Sequence, residues 1–153
     1  MNDLKAMIKL LSTQKVNQIE IISEEAKMSV KSRDLYNGIK DGEFNTDLDA
    51  SLALYNEDEN STSYRKLKYR LKKRLINTLF FIDVQEYSRS NLEKATIRSF
   101  KNWSASKILM SKGLMTQSYN LSETLLKTTQ KYDLVELSLL IVRDLKKKYG
   151  LIN

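Results

Sequence analysis

The chain has 153 residues and a net charge of +7, from 26 Lys and Arg against 19 Asp and Glu, and it contains no Cys, no His and no Pro. Those zeros exclude disulfides, thiolate or imidazole catalysis, and zinc–thiolate or iron–sulfur centres, leaving only oxygen ligands that suit a hard cation such as Mg²⁺ or Ca²⁺. The four glycines, Gly38, Gly42, Gly113 and Gly150, fall in no dinucleotide fingerprint and no phosphate loop.

Missing Pro and scarce Gly favour long uninterrupted helices, because these two residues end helices most often. The hydrophobic share of 41% is enough for a packed core. No run of ~18 apolar residues occurs, and the start Met1-Asn2-Asp3-Leu4-Lys5 lacks a signal-peptide pattern, so no membrane contact and a cytoplasmic location are expected. The length suggests one domain over 1–153.

Eight helices can be drawn, giving an all-α fold. The first, about 3–12, carries Leu4, Ile8 and Leu11 on one stripe. A second, about 15–27, repeats Val16, Ile19, Ile22 and Ala26 at helical spacing. A third, about 32–41, holds Leu35, Tyr36 and Ile39 and stops at Asp41-Gly42, with Gly42 suited to a left-handed cap. Thr46-Asp47-Leu48-Asp49 fits a capping box that opens a fourth, with Leu48, Leu52 and Tyr55 as its apolar positions. Residues 56–63 (NEDENSTS) read as a loop.

The fifth helix, about 64–84, has the stripe Tyr64, Leu67, Leu71, Leu75, Thr78 and Ile82. Arg65, Lys66, Lys68, Arg70, Lys72, Lys73 and Arg74 occupy nearly everything outside that stripe, with Tyr69 among them. Ile76, Leu79, Phe80 and Phe81 then make the helix apolar all round, so it is expected to start on the surface and end buried. A sixth, about 90–111, includes Leu92, Ile97, Phe100, Trp103, Ile108 and Leu109 and ends at Lys112-Gly113. The seventh, about 115–130, carries Leu121, Leu125 and Leu126. The eighth, about 133–149, is apolar on more than one side: Leu134, Leu137, Ile141 and Leu145 form one stripe, and Val135, Leu139 and Val142 another.

Charge divides unevenly along the chain. Residues 1–60 carry a net −5 and residues 61–153 a net +12, and no acid occurs between Asn60 and Ile82. The acidic segment 57–59 is placed either to neutralise the basic helix or to leave it open to a polyanion.

Residues 103–132, with Trp103, Ala105, Leu109, Gly113, Tyr119, Leu125, Leu126 and Tyr132, resemble tetratricopeptide-like α-hairpin repeats. The repeat's Leu-Gly pair and closing Pro are missing here, and no second copy follows at ~34 residues. The stretches 4–12 and 64–83 resemble uncharacterised helical proteins of Bacteroidota, which implies helical hairpins after the basic helix and supplies no activity.

The carboxylate groups Glu24-Glu25, Asp47/Asp49 and 57–59 lie at helix ends or in polar loops, where capping and solvation are their ordinary roles. No catalytic, cofactor-binding or metal-ligating residue is therefore assigned. The expected role is a non-enzymatic helical scaffold or protein-interaction module. Val135, Leu139, Val142 and Tyr149 are its candidate interface, for a protein partner, a second copy, or the rest of a longer protein of which this chain is the N-terminal piece. The alternative is a DNA- or RNA-binding protein with a divergent helix-turn-helix over 46–75, using the face Arg65, Lys66, Lys68, Arg70, Lys72, Lys73 and Arg74. The long link and the absence of Asn and Gln from 64–76 count against that alternative.

Overall fold

A computed structural model describes residues 1–13, 29–83 and 90–150, the Lys147 side chain excepted. Among the described residues there are seven helices and no strand: α1 (Asn2–Ser12), α2 (Val30–Lys40), α3 (Asp47–Tyr55), α4 (Thr62–Leu79), α5 (Asn91–Ser111), α6 (Met115–Lys131) and α7 (Val135–Lys148). The expected helix over 15–27 lies outside the described residues.

In a chain without Pro, Ser and Thr cap the starts of α2, α3, α4 and α5. The side chains of Ser29, Ser61 and Ser90 each accept the backbone N–H three residues on, at the starts of α2, α4 and α5. The expected capping box at Thr46 is present in both directions: Asp49 N–H donates to Thr46 Oγ1 at 3.1 Å, and Thr46 N–H to Asp49 Oδ2 at 2.8 Å. Just past the ends of α2 and α5, Gly42 (φ 81°) and Gly113 (φ 78°) take the left-handed conformation that a Cβ disfavours.

The chain divides into two compact units, Met1–Ile82 and Asp83–Asn153. The change in charge at 60/61 therefore falls inside the first unit, where acidic and basic segments pack together. In that unit α4 packs against α1, α2 and α3. Its core joins Leu4, Ile8 and Leu11 of α1, Leu35, Tyr36 and Ile39 of α2, Ala50 of α3, and Tyr64, Leu67, Leu71 and Leu75 of α4. The expected stripes of α1, α2 and α4 are thus the buried ones, and each such side chain contributes roughly 1.5–3 kcal/mol by leaving water.

Two expectations in this unit are corrected. In α3, Leu48 and Leu52 point to solvent, whereas Ala50 and Ser51 are buried and Leu54 packs on the core. The inward face runs Asp47, Ala50, Ser51, Leu54, and Asp47 on it accepts the Tyr64 hydroxyl. The helix expected over 64–84 ends at Leu79, and Ile76, Phe80 and Phe81 are exposed.

In the second unit α5 packs on α6, and α6 on α7, through short turns. Of the apolar residues named in α5, Trp103 packs on the core of this unit. Leu92, Ile97, Phe100 and Ile108 are exposed, and the buried residues are Ala95, Ser99 and Ser106. Small residues let the α5 and α6 backbones approach closely. Ser106 Oγ lies 2.7 Å from Ser122 Oγ and 3.0 Å from Ser118 Oγ, while the Ser118 hydroxyl donates to the Ser106 carbonyl at 2.9 Å. The apolar core of this unit is Leu125, Leu137, Ile141 and Leu145, with Trp103, Tyr119, Leu126, Leu134 and Leu140 against it.

Candidate functional site

Six of the seven cations of α4 separate into two rows when placed on the helix, and Arg74 belongs to neither. Lys68 and Lys72, one turn apart, face the rest of their own unit. The Lys68 ammonium lies 2.8 Å from the Asp47 carboxylate, and that of Lys72 2.8 Å from Asp3. Asp47 is the centre of this arrangement. It also accepts the Tyr64 hydroxyl at 2.6 Å and the Met1 amine at 3.0 Å. Burial pushes the Asp47 carboxyl up, but the hydrogen bonds from Lys68, Tyr64 and the amine outweigh it and hold the group down at about 2. The same contacts act oppositely on the donors. Burial and then the Asp47 bond push the Tyr64 phenol up; burial lowers Lys68, and the bond to Asp47 more than reverses this. A cavity of about 510 Å³ opens beside these groups, lined by Asp3, Asn45, Thr46, Asp47, Lys68 and Lys72 among others.

The outer row is Arg65, Lys66, Arg70 and Lys73. All four are exposed, and none makes an ion pair among the described residues. The Arg70 Nε donates only to the Lys66 carbonyl, 3.3 Å away within the helix. Tyr69 stands between them and is 67% exposed. A shallow depression of about 280 Å³ is lined by Thr62, Arg65, Lys66 and Tyr69. Arg74 is half-buried. The acidic segment 57–59 does not neutralise the row: Asp58 instead accepts the Asn60 N–H at 2.6 Å and gives its carbonyl to the Ser51 hydroxyl at 2.7 Å. The seven-cation face expected from the sequence is therefore four outward cations around a tyrosine, with Lys68 and Lys72 turned to structural partners.

The second surface lies on α7. Its buried stripe is Leu137, Ile141 and Leu145, as expected, with Leu134 half-buried just before it. Val135, Leu139 (65% exposed) and Val142 line the opposite side, one turn apart, and Tyr149 is exposed beyond them. Val135, Leu139 and Val142 border a cleft of about 280 Å³ that Leu126, Thr129 and Ser138 also line. Tyr149 is partly committed, since its hydroxyl donates to Glu123 at 2.9 Å, and Lys148 also pairs with Glu123.

Sequence reasoning did not single out Asp144. Its side chain is 7% exposed and accepts the Trp103 indole N–H at 3.2 Å and the Lys107 ammonium at 2.8 Å, joining α7 to α5. The one available signal was its place among apolar residues, where a lone acid requires partners. Among the described residues no group of three acidic side chains is placed to hold a metal ion, and no helix is long and apolar enough to cross a membrane. Glu24 and Glu25 lie outside the described residues. No family model, no curated protein and no solved structure matches this chain.

Proposed function

We propose that the chain is a non-enzymatic interaction module. The observation that carries this reading is the row Val135, Leu139 and Val142, an aliphatic strip that stays in solvent beside a ready cleft while the opposite stripe of the same helix is fully used in the core. Exposed aliphatic side chains in a continuous strip mark docking surfaces more often than scattered ones do. Spacing by helical turns suits an apolar helix laid into the cleft, supplied by a protein partner or by a second copy of the chain. Joined α5–α6 and α6–α7 pairs, in the manner of tetratricopeptide-like hairpins, supply the scaffold.

Sedimentation velocity tests it. Self-association that survives 1 M salt and is lost in Leu139→Asp supports docking by a second copy. A chain that stays monomeric at all concentrations, with an α7 strip unperturbed by any added partner helix, overturns the reading.

A second reading, binding of DNA or RNA through α3 and α4, is favoured by one specific observation. Four cations on α4 have no acidic partner among the described residues although two neighbours on the same helix do. Log affinity falling linearly with log salt tests it.

A further inference from the structure

Resting on the nucleic-acid reading, we infer that the outer row of α4 takes single-stranded nucleic acid, with Tyr69 as the platform on which a base stacks and Arg65, Lys66, Arg70 and Lys73 as the phosphate contacts. Three features of the helix lead to it. The first is the division of labour among the cations. Lys68 and Lys72 are spent on Asp47 and Asp3, which fixes the orientation of α4 in its unit and leaves Arg65, Lys66, Arg70 and Lys73 exposed. Cations left without acids in the fold attract a polyanion.

The second is Tyr69 itself. An aromatic ring 67% exposed in the middle of a basic row forms no core and has no hydrogen bond among the described residues. A duplex presents phosphates and groove edges to such a row and gives the flat ring nothing to stack on, whereas an unpaired strand offers base faces. The helix also lacks Asn and Gln over 64–76, the side chains that read adenine in the major groove, so base-edge readout of a duplex is poorly served. Stacking asks for no particular base, and the row has the composition of a sequence-tolerant single-strand surface.

The third is scale. Arg65 to Lys73 spans about 12 Å along the helix, which matches three or four nucleotides of a stacked strand at ~3.4 Å each. Tyr69 lies halfway along that span. The depression bounded by Thr62, Arg65, Lys66 and Tyr69 gives the stacked base a recess with two cations at its rim.

The test is fluorescence anisotropy of the full chain with labelled dT12 and with a 12-base-pair duplex, at 50 mM salt and upward. Expected are tighter binding of dT12 than of the duplex, a log–log salt slope of about −3 from four phosphate contacts, and loss of about tenfold in dT12 affinity for Tyr69→Ala with Tyr69→Phe near wild type. Lys66→Glu with Lys73→Glu abolishes binding. All these residues are exposed, and circular dichroism confirms that each variant folds. If the charge reversals abolish dT12 binding but Tyr69→Ala leaves it unchanged, stacking is overturned while the nucleic-acid reading stands. Tighter binding to the duplex has the same consequence. If neither nucleic acid binds at 50 mM salt, or polyglutamate competes as well as dT12 does, both fall.

Discussion

The Tyr64 hydroxyl donates a 2.6 Å hydrogen bond to Asp47, tying α4 to the first turn of α3 across 17 residues of sequence. Asp47 thereby fixes α3 with Leu48 and Leu52 outward and Leu54 on the core, and it anchors Lys68 as well. Its folded pKa, about 2, lies below the ordinary 3.8. The folded state therefore binds this proton more weakly than the unfolded chain does. The stability it contributes is complete above about pH 4 and is lost as pH falls through the folded pKa near 2. Discounted for the solvent that reaches the carboxylate, the depression from 3.8 to about 2 corresponds to roughly 1–2 kcal/mol. Asp47→Asn is expected to lower the urea midpoint at pH 7 and to flatten the loss of stability between pH 4 and 2. An unchanged acid limb would show that the ionised Asp47, with its bonds from Lys68, Tyr64 and the Met1 amine, contributes no net stability.

Gly38 lies inside α2, where Gly costs about 1 kcal/mol relative to Ala. A Cβ there would fall within 3.0 Å of three atoms of the Phe44 ring, which folds back over the helix while its N–H donates to the Gly38 carbonyl at 2.9 Å. Gly38→Ala is expected to destabilise despite the gain in helix propensity, by about 1–3 kcal/mol of overpacking. In a Phe44→Leu background the same change should be neutral or stabilising. Thermal melts of the four proteins in this cycle decide it, and a stabilising Gly38→Ala in the wild type would refute the packing account.

Ser106 and Ser122 share a 2.7 Å hydrogen bond between fully buried hydroxyls. Removing one partner strands the other, so Ser106→Ala is expected to cost about 1–2 kcal/mol. Removing both leaves less to strand, and Ser106→Ala with Ser122→Ala should be more stable than the sum of the single losses predicts. Ser106→Leu, by contrast, forces α5 and α6 apart and should cost more than either. Simple additivity in urea titrations would mean that the hydroxyls do not act as a pair.

Asp144 joins Lys107 and the single tryptophan of the chain, Trp103. Asp144→Leu leaves the indole N–H and the ammonium without their acceptor. Because Lys107 is itself 40% exposed, the cost should fall below that of breaking a fully buried pair, at about 2 kcal/mol. With only one tryptophan, the emission spectrum reads this contact directly. A blue shift on mutation is expected, because the indole N–H loses its acceptor and an apolar side chain replaces a carboxylate, and an unshifted spectrum at unchanged stability would place no weight on the bond.

The sequence carried the fold class and the faces of α1, α2, α4 and α7, because in each the helical period of large apolar residues coincides with burial. In α3 and α5 it held for Tyr55 and Trp103, which pack on the cores, and missed for Leu48, Leu52, Leu92, Ile97, Phe100 and Ile108, which point outward. In α5 the packed side is Ala95, Ser99 and Ser106, chosen by how closely two backbones meet rather than by hydrophobicity. In α3 the inward face is set by Asp47, whose partner Lys68 is 21 residues away. The basic face was legible as composition only. Which cations it keeps depends on Asp47 and on Asp3, the latter 69 residues from Lys72, and no local pattern contains those pairings.

That division of the cations yields a comparison within one helix. Lys66→Glu with Lys73→Glu changes the net charge by four units in the outer row, where no acidic partner is lost. Lys68→Glu with Lys72→Glu changes it equally, but sets like charges against Asp47 and Asp3. Any effect that depends only on net charge, such as nonspecific attraction to a polyanion, should be the same for both. The outer pair is expected to unfold at the wild-type urea midpoint and the inner pair well below it, since the Asp47 carboxylate loses a charged donor and gains a repulsion in a partly buried site. Equal midpoints would erase the distinction between the rows. A stable inner pair that also lost nucleic-acid binding would move the binding face from the outer row to the Asp47 side of α4.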